Sequence, residues 1–138
     1  MVLNLSSKHE RGASAIEFAL VLPFLLIVLF SIFECGWMVT TQLVLNHAVS
    51  QGARCAVIAS DGDEMTAVVV AEAAANSAYW IGDLDSSSIS ASVLPSDGVL
   101  PRRVEVVVAE HPYNPLSGFL PASTLPEHMS AKSVMPFP

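Results

Sequence analysis

Two glutamates stand out because the residues around them are apolar. The stretch from Ala13 to Trp37 is twenty-five residues long, and Glu17 and Glu34 are its only charged residues. An acidic side chain near the bilayer centre costs about 2.5 to 3.5 kcal/mol on insertion scales, so such a residue suggests a function that involves a partner. A cut after Gly12 would create a cationic α-amine on Ala13, four positions before Glu17. Glu17 therefore forms a charge pair after cleavage or, alternatively, reaches water at the headgroup level without one.

The other reactive side chains show no pattern of catalysis or metal binding. His47, His111 and His128 are isolated in the sequence, with no His-x-x-x-His or Cys-x-x-Cys spacing and no glycine-rich phosphate loop. We therefore predict no enzymatic activity, no metal and no other cofactor. Cys35 and Cys55 would lie ~30 Å apart on a continuous helix, too far for an intramolecular disulfide. They are either two small apolar side chains or the partners of an intermolecular bridge.

The element that carries both glutamates is a long helix. Twenty-five helical residues reach ~38 Å, which exceeds the ~30 Å hydrocarbon core of a bilayer. The run is too long for the apolar core of an ordinary secretory signal, and no small-x-small cleavage site follows it. Pro23 lies inside this segment, either as a tolerated membrane proline or as a local softening of the helix. The sequence thus predicts a transmembrane helix over residues 13–37.

Two blocks of sequence resemble a known family. The first runs from Arg11 to Pro23 and reads Arg-Gly-Ala-x-Ala-x-Glu-Phe-Ala-Leu-x-Leu-Pro, with glycine at the last leader position and glutamate at the fifth mature position. It resembles the class III leader of type IV (type IVb) prepilins, in the form found in the Flp/Tad branch. The second block, residues 46–57, contains Gly52-Ala53-Arg54. Together the blocks are similar to those of TadE-like minor pseudopilins. TadF-like proteins share the leader and the size, and only these two blocks separate them from this chain.

The resemblance implies roles for particular residues. A prepilin peptidase would cut between Gly12 and Ala13, and Glu17 would then neutralise the amine of its own or an adjacent subunit. The apolar surface between Phe18 and Phe33 would pack against other subunits. The packing residues implied are Phe18, Leu22, Pro23, Leu25 and Leu29. The implied partners are the peptidase, other Tad pilins or pseudopilins, the inner-membrane assembly platform and membrane lipid.

The chain divides into four predicted segments. Residues 1–12 are the leader, 13–37 the transmembrane helix, 38–60 its amphipathic continuation outside the membrane, and 61–138 a periplasmic head. Ser60-Asp61-Gly62 ends the helix, since Gly62 is suited to a left-handed terminus. We expect an α+β fold that resembles type IV pilins, with a long helix as its spine, a second short helix and a small antiparallel sheet.

The head supplies the second helix and the strands. Asp63 and Glu64 begin a helix that is Ala-rich as far as Trp80, with Glu72 on its solvated side. Alternating residues predict strands over 88–94 and 103–109, paired through a turn at 95–98. The four prolines between His111 and Pro126 predict a long loop in place of a continued strand. A last, weaker strand is predicted over 128–135.

The net charge and the basic residues exclude some classes of partner and predict the orientation in the membrane. The net charge is −7, which argues against nucleic acid as a partner and against electrostatic binding to anionic lipid. Lys8 and Arg11 precede the apolar run and no Lys or Arg follows it before Arg54, so the positive-inside rule places the N-terminus in the cytoplasm. We predict a single-pass inner-membrane pseudopilin acting in Flp/Tad pilus biogenesis, adhesion or secretion, without a small-molecule substrate. The alternative is an uncleaved, signal-anchored periplasmic binding domain with no filament role.

Overall fold

One helix takes up about two fifths of the chain. The computed structural model describes residues 6–82, 84–85 and 87–137, without the side chains of residues 6–13 and 122. Helix α1 spans Ser6–Ala59 and continues through Pro23. It ends where predicted, because Asp61 and Gly62 adopt left-handed backbone angles (φ 47° and 85°). The predicted single helix made of an apolar half and an amphipathic half is confirmed.

Helix α2 packs against the second half of α1. It spans Glu64–Ala78, and the carboxylate of its N-cap Asp63 accepts a hydrogen bond from the amide of Thr66 at 2.9 Å. The helix stops two residues before the predicted end at Trp80. Its buried residues are Ala67, Ala71 and Ala75, whose small side chains allow the two helix axes to lie close together.

Three antiparallel strands cover the helices in the order β1-β2-β3. Strand β1 spans Ile89–Leu94, β2 spans Arg103–Pro112 and β3 spans His128–Pro136. In β2 the alternate residues Val104, Val106 and Val108 are fully buried, as the period-two pattern predicts. They join α1 residues such as Leu45 and Val49 in one hydrophobic core. The predicted α+β arrangement is therefore confirmed.

The central strand is longer than predicted. We expected the loop to begin at His111, but His111 pairs with Met129 and Pro112 with His128. A register shift between Val108 and His111, where Glu110 has a positive φ of 55°, lets pairing resume after the irregularity. Pro112 is tolerated because it is the last residue of the strand. The loop proper begins at Tyr113 and includes a short 3-10 helix, Ala122–Thr124.

Candidate functional site

The predicted processing and charge-pair residues lie near the start of α1. Gly12 and Ala13 belong to the helix, whose side chains the structure describes from Ser14 onward. Glu17 is exposed on the helix surface. The structure thus places Glu17 where a partner has access to it, while the pairing with the Ala13 amine stays a prediction.

The apolar half of α1 is a bare surface. Helix α1 is long and apolar enough to cross a membrane, and within the described residues its most apolar eighteen-residue window contains no buried residue. Of the predicted packing residues, Phe18 and Leu25 are 61% and 54% exposed. Pro23 and Leu29 are also exposed, and Leu22 is half-buried. This surface is open to lipid or to other subunits, which is what the packing prediction requires.

Glu34 has partners that the sequence did not indicate. Its side chain is fully buried, and both carboxylate oxygens accept hydrogen bonds from the loop that follows β2. Oε1 accepts from the Tyr113 hydroxyl at 2.8 Å and from the Leu116 amide at 3.0 Å. Oε2 accepts from the Ser117 amide at 3.0 Å and the Ser117 hydroxyl at 2.7 Å. Four donors therefore satisfy a charge that would otherwise be costly to bury.

Further contacts hold the same loop along α1. The Trp37 indole donates a hydrogen bond to the carbonyl of Asn114 at 3.2 Å. One turn before Glu34, the rings of Phe30 and Phe119 lie 5.1 Å apart. Burial, reinforced by the hydrogen bond to the Glu34 carboxylate, raises the pKa of Tyr113 to about 12, so its hydroxyl stays a donor at physiological pH. The loop and the helix form one fixed junction.

A buried tyrosine–histidine pair lies next to this junction. The Tyr79 hydroxyl is 2.9 Å from Nε2 of His111, at a cavity of about 200 Å³ that Trp37 and Asn114 also line. Burial lowers the pKa of His111 and raises the pKa of Tyr79, and both shifts favour the neutral form. The pair joins the end of α2 to β2 through neutral groups.

Glu72 was expected to be solvated, but it is half-buried and contacts the sheet. Its carboxylate oxygen Oε1 accepts a hydrogen bond from the backbone amide of Ala91 in β1, at 3.4 Å.

The two cysteines agree with the expectation that they form no bridge to each other. Cys35 is exposed and Cys55 half-buried, and both are free.

Comparison with known proteins yields one family and no individual relative. No curated protein and no solved structure matches the chain. The matched family segment starts at the glycine of the predicted cleavage site and covers the apolar half of α1 and most of its amphipathic continuation. The family suggests a protein related to the Tad pilus. The family described as TadE-like protein matches residues 12–54, so the N-terminal segment of this chain is similar to that of TadE-like proteins.

Proposed function

We propose that this protein is a minor pseudopilin that is cut between Gly12 and Ala13 and takes part in assembling a Flp/Tad-type pilus. The observation that supports this most is the family match that begins at Gly12 and covers the exposed apolar half of α1. The head is periplasmic and the N-terminus cytoplasmic in this proposal, in line with the basic residues Lys8 and Arg11 ahead of the helix.

The proposed mechanism is packing and charge pairing, without catalysis by the protein itself. Cleavage by a prepilin peptidase frees the amine of Ala13, one helical turn from the exposed carboxylate of Glu17. That carboxylate pairs with its own amine or with the amine of a neighbouring pilin at the inner-membrane assembly platform. The exposed side chains of Phe18, Leu25 and Leu29 then exchange lipid for contacts with other subunits.

Substitution of Glu17 tests this function in a host that lacks its own copy of the gene. Glu17→Gln removes the charge but keeps the size of the side chain, so we expect normal amounts of protein in the membrane and a severalfold loss of pili or of pilus-dependent secretion. Glu17→Asp keeps the charge and is the matched control, expected to retain more assembly. Equal piliation with Gln, Asp and Glu would overturn the charge-pairing role.

A further inference from the structure

The loop that binds Glu34 is apolar as well as hydrogen-bonded. We call residues 113–121 the junction loop; its sequence, Tyr-Asn-Pro-Leu-Ser-Gly-Phe-Leu-Pro, contains no charged residue, and none follows before Glu127. Within it, Leu116 and Phe119 are 58% and 52% exposed. These two large apolar side chains on one short loop form a small exposed apolar patch.

The position of the loop along α1 places this patch beside the membrane-spanning part of the helix. Phe119 packs on Phe30, and the backbone of Leu116 and Ser117 binds Glu34. A bilayer core of ~30 Å takes about twenty helical residues, which is the length of residues 14–33. Phe119 is therefore level with a residue inside that span, about 5 Å from its end.

Glu34 lowers the cost of placing this loop at such a depth. Backbone amides without partners cost several kcal/mol in hydrocarbon, so irregular backbone is excluded from lipid unless its polar groups are satisfied. Here the amides of Leu116 and Ser117 donate to the Glu34 carboxylate, and the Tyr113 hydroxyl donates to it as well. The carboxylate thus takes up two backbone amides of the loop and the Tyr113 hydroxyl, while the side chains of Leu116 and Phe119 stay exposed.

We infer that the junction loop inserts into the adjacent leaflet of the bilayer, with Leu116 and Phe119 among the acyl chains as a second membrane contact beside α1. This inference rests on the proposed membrane anchoring of α1. Lipid is the occupant because the patch is continuous with the bare apolar surface of the helix and carries no charge. Interfacial amphipathic helices bury their apolar faces about 5 to 10 Å into the boundary between headgroups and acyl chains, and the inferred insertion is of similar depth. The loop would fix the height and tilt of the head above the membrane.

Nitroxide labels on the full chain in liposomes test the inference. In a Cys35→Ala, Cys55→Ala background, single cysteines replace Leu116, Phe119, Val99 or Leu25. Val99 is the matched control, an apolar residue 88% exposed in the β1–β2 connection, beyond the opposite end of the ten-residue strand β2. Leu25 reports insertion of α1 itself. The readout is the collision rate of each label with dissolved oxygen, which partitions into lipid, relative to a water-soluble nickel chelate.

We expect the oxygen-to-nickel ratio at positions 116 and 119 to exceed the ratio at position 99 severalfold and to approach that at position 25. Nickel-accessible labels at 116 and 119, with a lipid-exposed label at 25, would refute loop insertion while leaving the membrane anchor intact. Labels shielded from both reagents would show that protein covers the loop and would also refute it. A water-exposed label at 25 would overturn the anchoring on which the inference depends.

Discussion

Glu34 shows what a single residue contributes to this molecule. The apolar sequence around it makes the charge conspicuous, but its donors lie about eighty positions later in a loop. No periodicity or spacing connects two sites so far apart in sequence, so the sequence identifies Glu34 as unusual without identifying its partners. Glu17 received a predicted partner only because the cut after Gly12 places an amine one helical turn away.

The Tyr113 hydroxyl should protect the junction against local opening. Tyr113→Phe removes one of the four donors to Glu34, and we expect a loss of about 1 kcal/mol, or roughly fivefold faster hydrogen exchange of the Leu116 and Ser117 amides. Tyr79→Phe removes a buried hydroxyl that contacts His111 instead, so it is the control that should leave those two amides protected. Unchanged exchange in Tyr113→Phe would show that the hydroxyl does not stabilise the junction.

The buried His111 should make stability depend on pH. Burial lowers the folded-state pKa of His111 below its ordinary value near 6.5, so the unfolded chain binds the proton more readily. The contribution of His111 to the free energy of unfolding is therefore complete above about pH 6.5 and is lost as the pH decreases below that value. We expect a lower unfolding midpoint at pH 5.5 than at pH 8, measured on the full chain in detergent micelles.

His111→Gln should reduce this pH dependence, whereas His128→Gln, at an exposed position on β3, should preserve it. The carboxylates of Asp63 and Asp97 have lowered pKa values because backbone and side-chain donors bind them. These two carboxylates lose their contribution to the free energy of unfolding only below about pH 4. A comparison between pH 5.5 and pH 8 therefore reports on the histidine and not on them. An equal fall in the His111→Gln variant would assign the effect to another group.

At the scale of elements, small residues determine how closely the two helices approach. A Cβ added to Gly52 of α1 would lie 2.6 Å from the carbonyl oxygen of Ala71 and 3.0 Å from the Cβ of Ala75, both on α2. The carbonyl belongs to helix backbone and has little freedom to move. Gly52 therefore permits the close packing, in agreement with the Ala-rich sequence of α2.

Gly52→Ala should destabilise the head. Overpacking of this kind costs about 1 to 3 kcal/mol, which exceeds the gain in helix propensity of about 1 kcal/mol. Gly36→Ala is the matched control, since Gly36 lies in the same helix and an added Cβ there would meet no described atom within 4 Å beyond its chain neighbours and the adjacent helix backbone. We expect a lower unfolding midpoint for Gly52→Ala only; equal midpoints would mean that the helices separate at little cost.

The sequence predicted these elements well wherever local pattern decides the outcome. The left-handed turn at Gly62, the N-cap at Asp63 and the alternation of Val104, Val106 and Val108 are local features, and each was confirmed. The predicted end of β2 was wrong because pairing with β3, a non-local interaction, extends the strand past an irregularity to Pro112. The proline rule describes a strand interior and does not exclude a proline at a strand end.

At the scale of the whole molecule, the two halves of α1 have opposite surroundings. The half after Trp37 is the spine of a packed α+β head, whereas residues 14–33 present an apolar surface that nothing in the head buries apart from partial cover near Phe30. The hydropathy of this sequence is enough to predict the division between the two halves of α1. The angle and height of the head depend on the Glu34 junction, which only the folded chain reveals.

Processing is the prediction that concerns the whole chain. A larger side chain at Gly12 should hinder access of the peptidase to the backbone, so Gly12→Val should accumulate protein that retains residues 1–12. Gly36→Ala, a glycine substitution in the same helix, should be processed normally. Unimpaired cleavage of Gly12→Val would place the cut elsewhere.

The most direct test is the intact mass of the wild-type protein extracted with detergent from the membranes of its native host. We predict that the principal species begins at Ala13 and is lighter than the 14.6 kDa full chain by the mass of residues 1–12. A principal species that retains Met1 would contradict the pseudopilin account and favour an uncleaved, signal-anchored periplasmic domain.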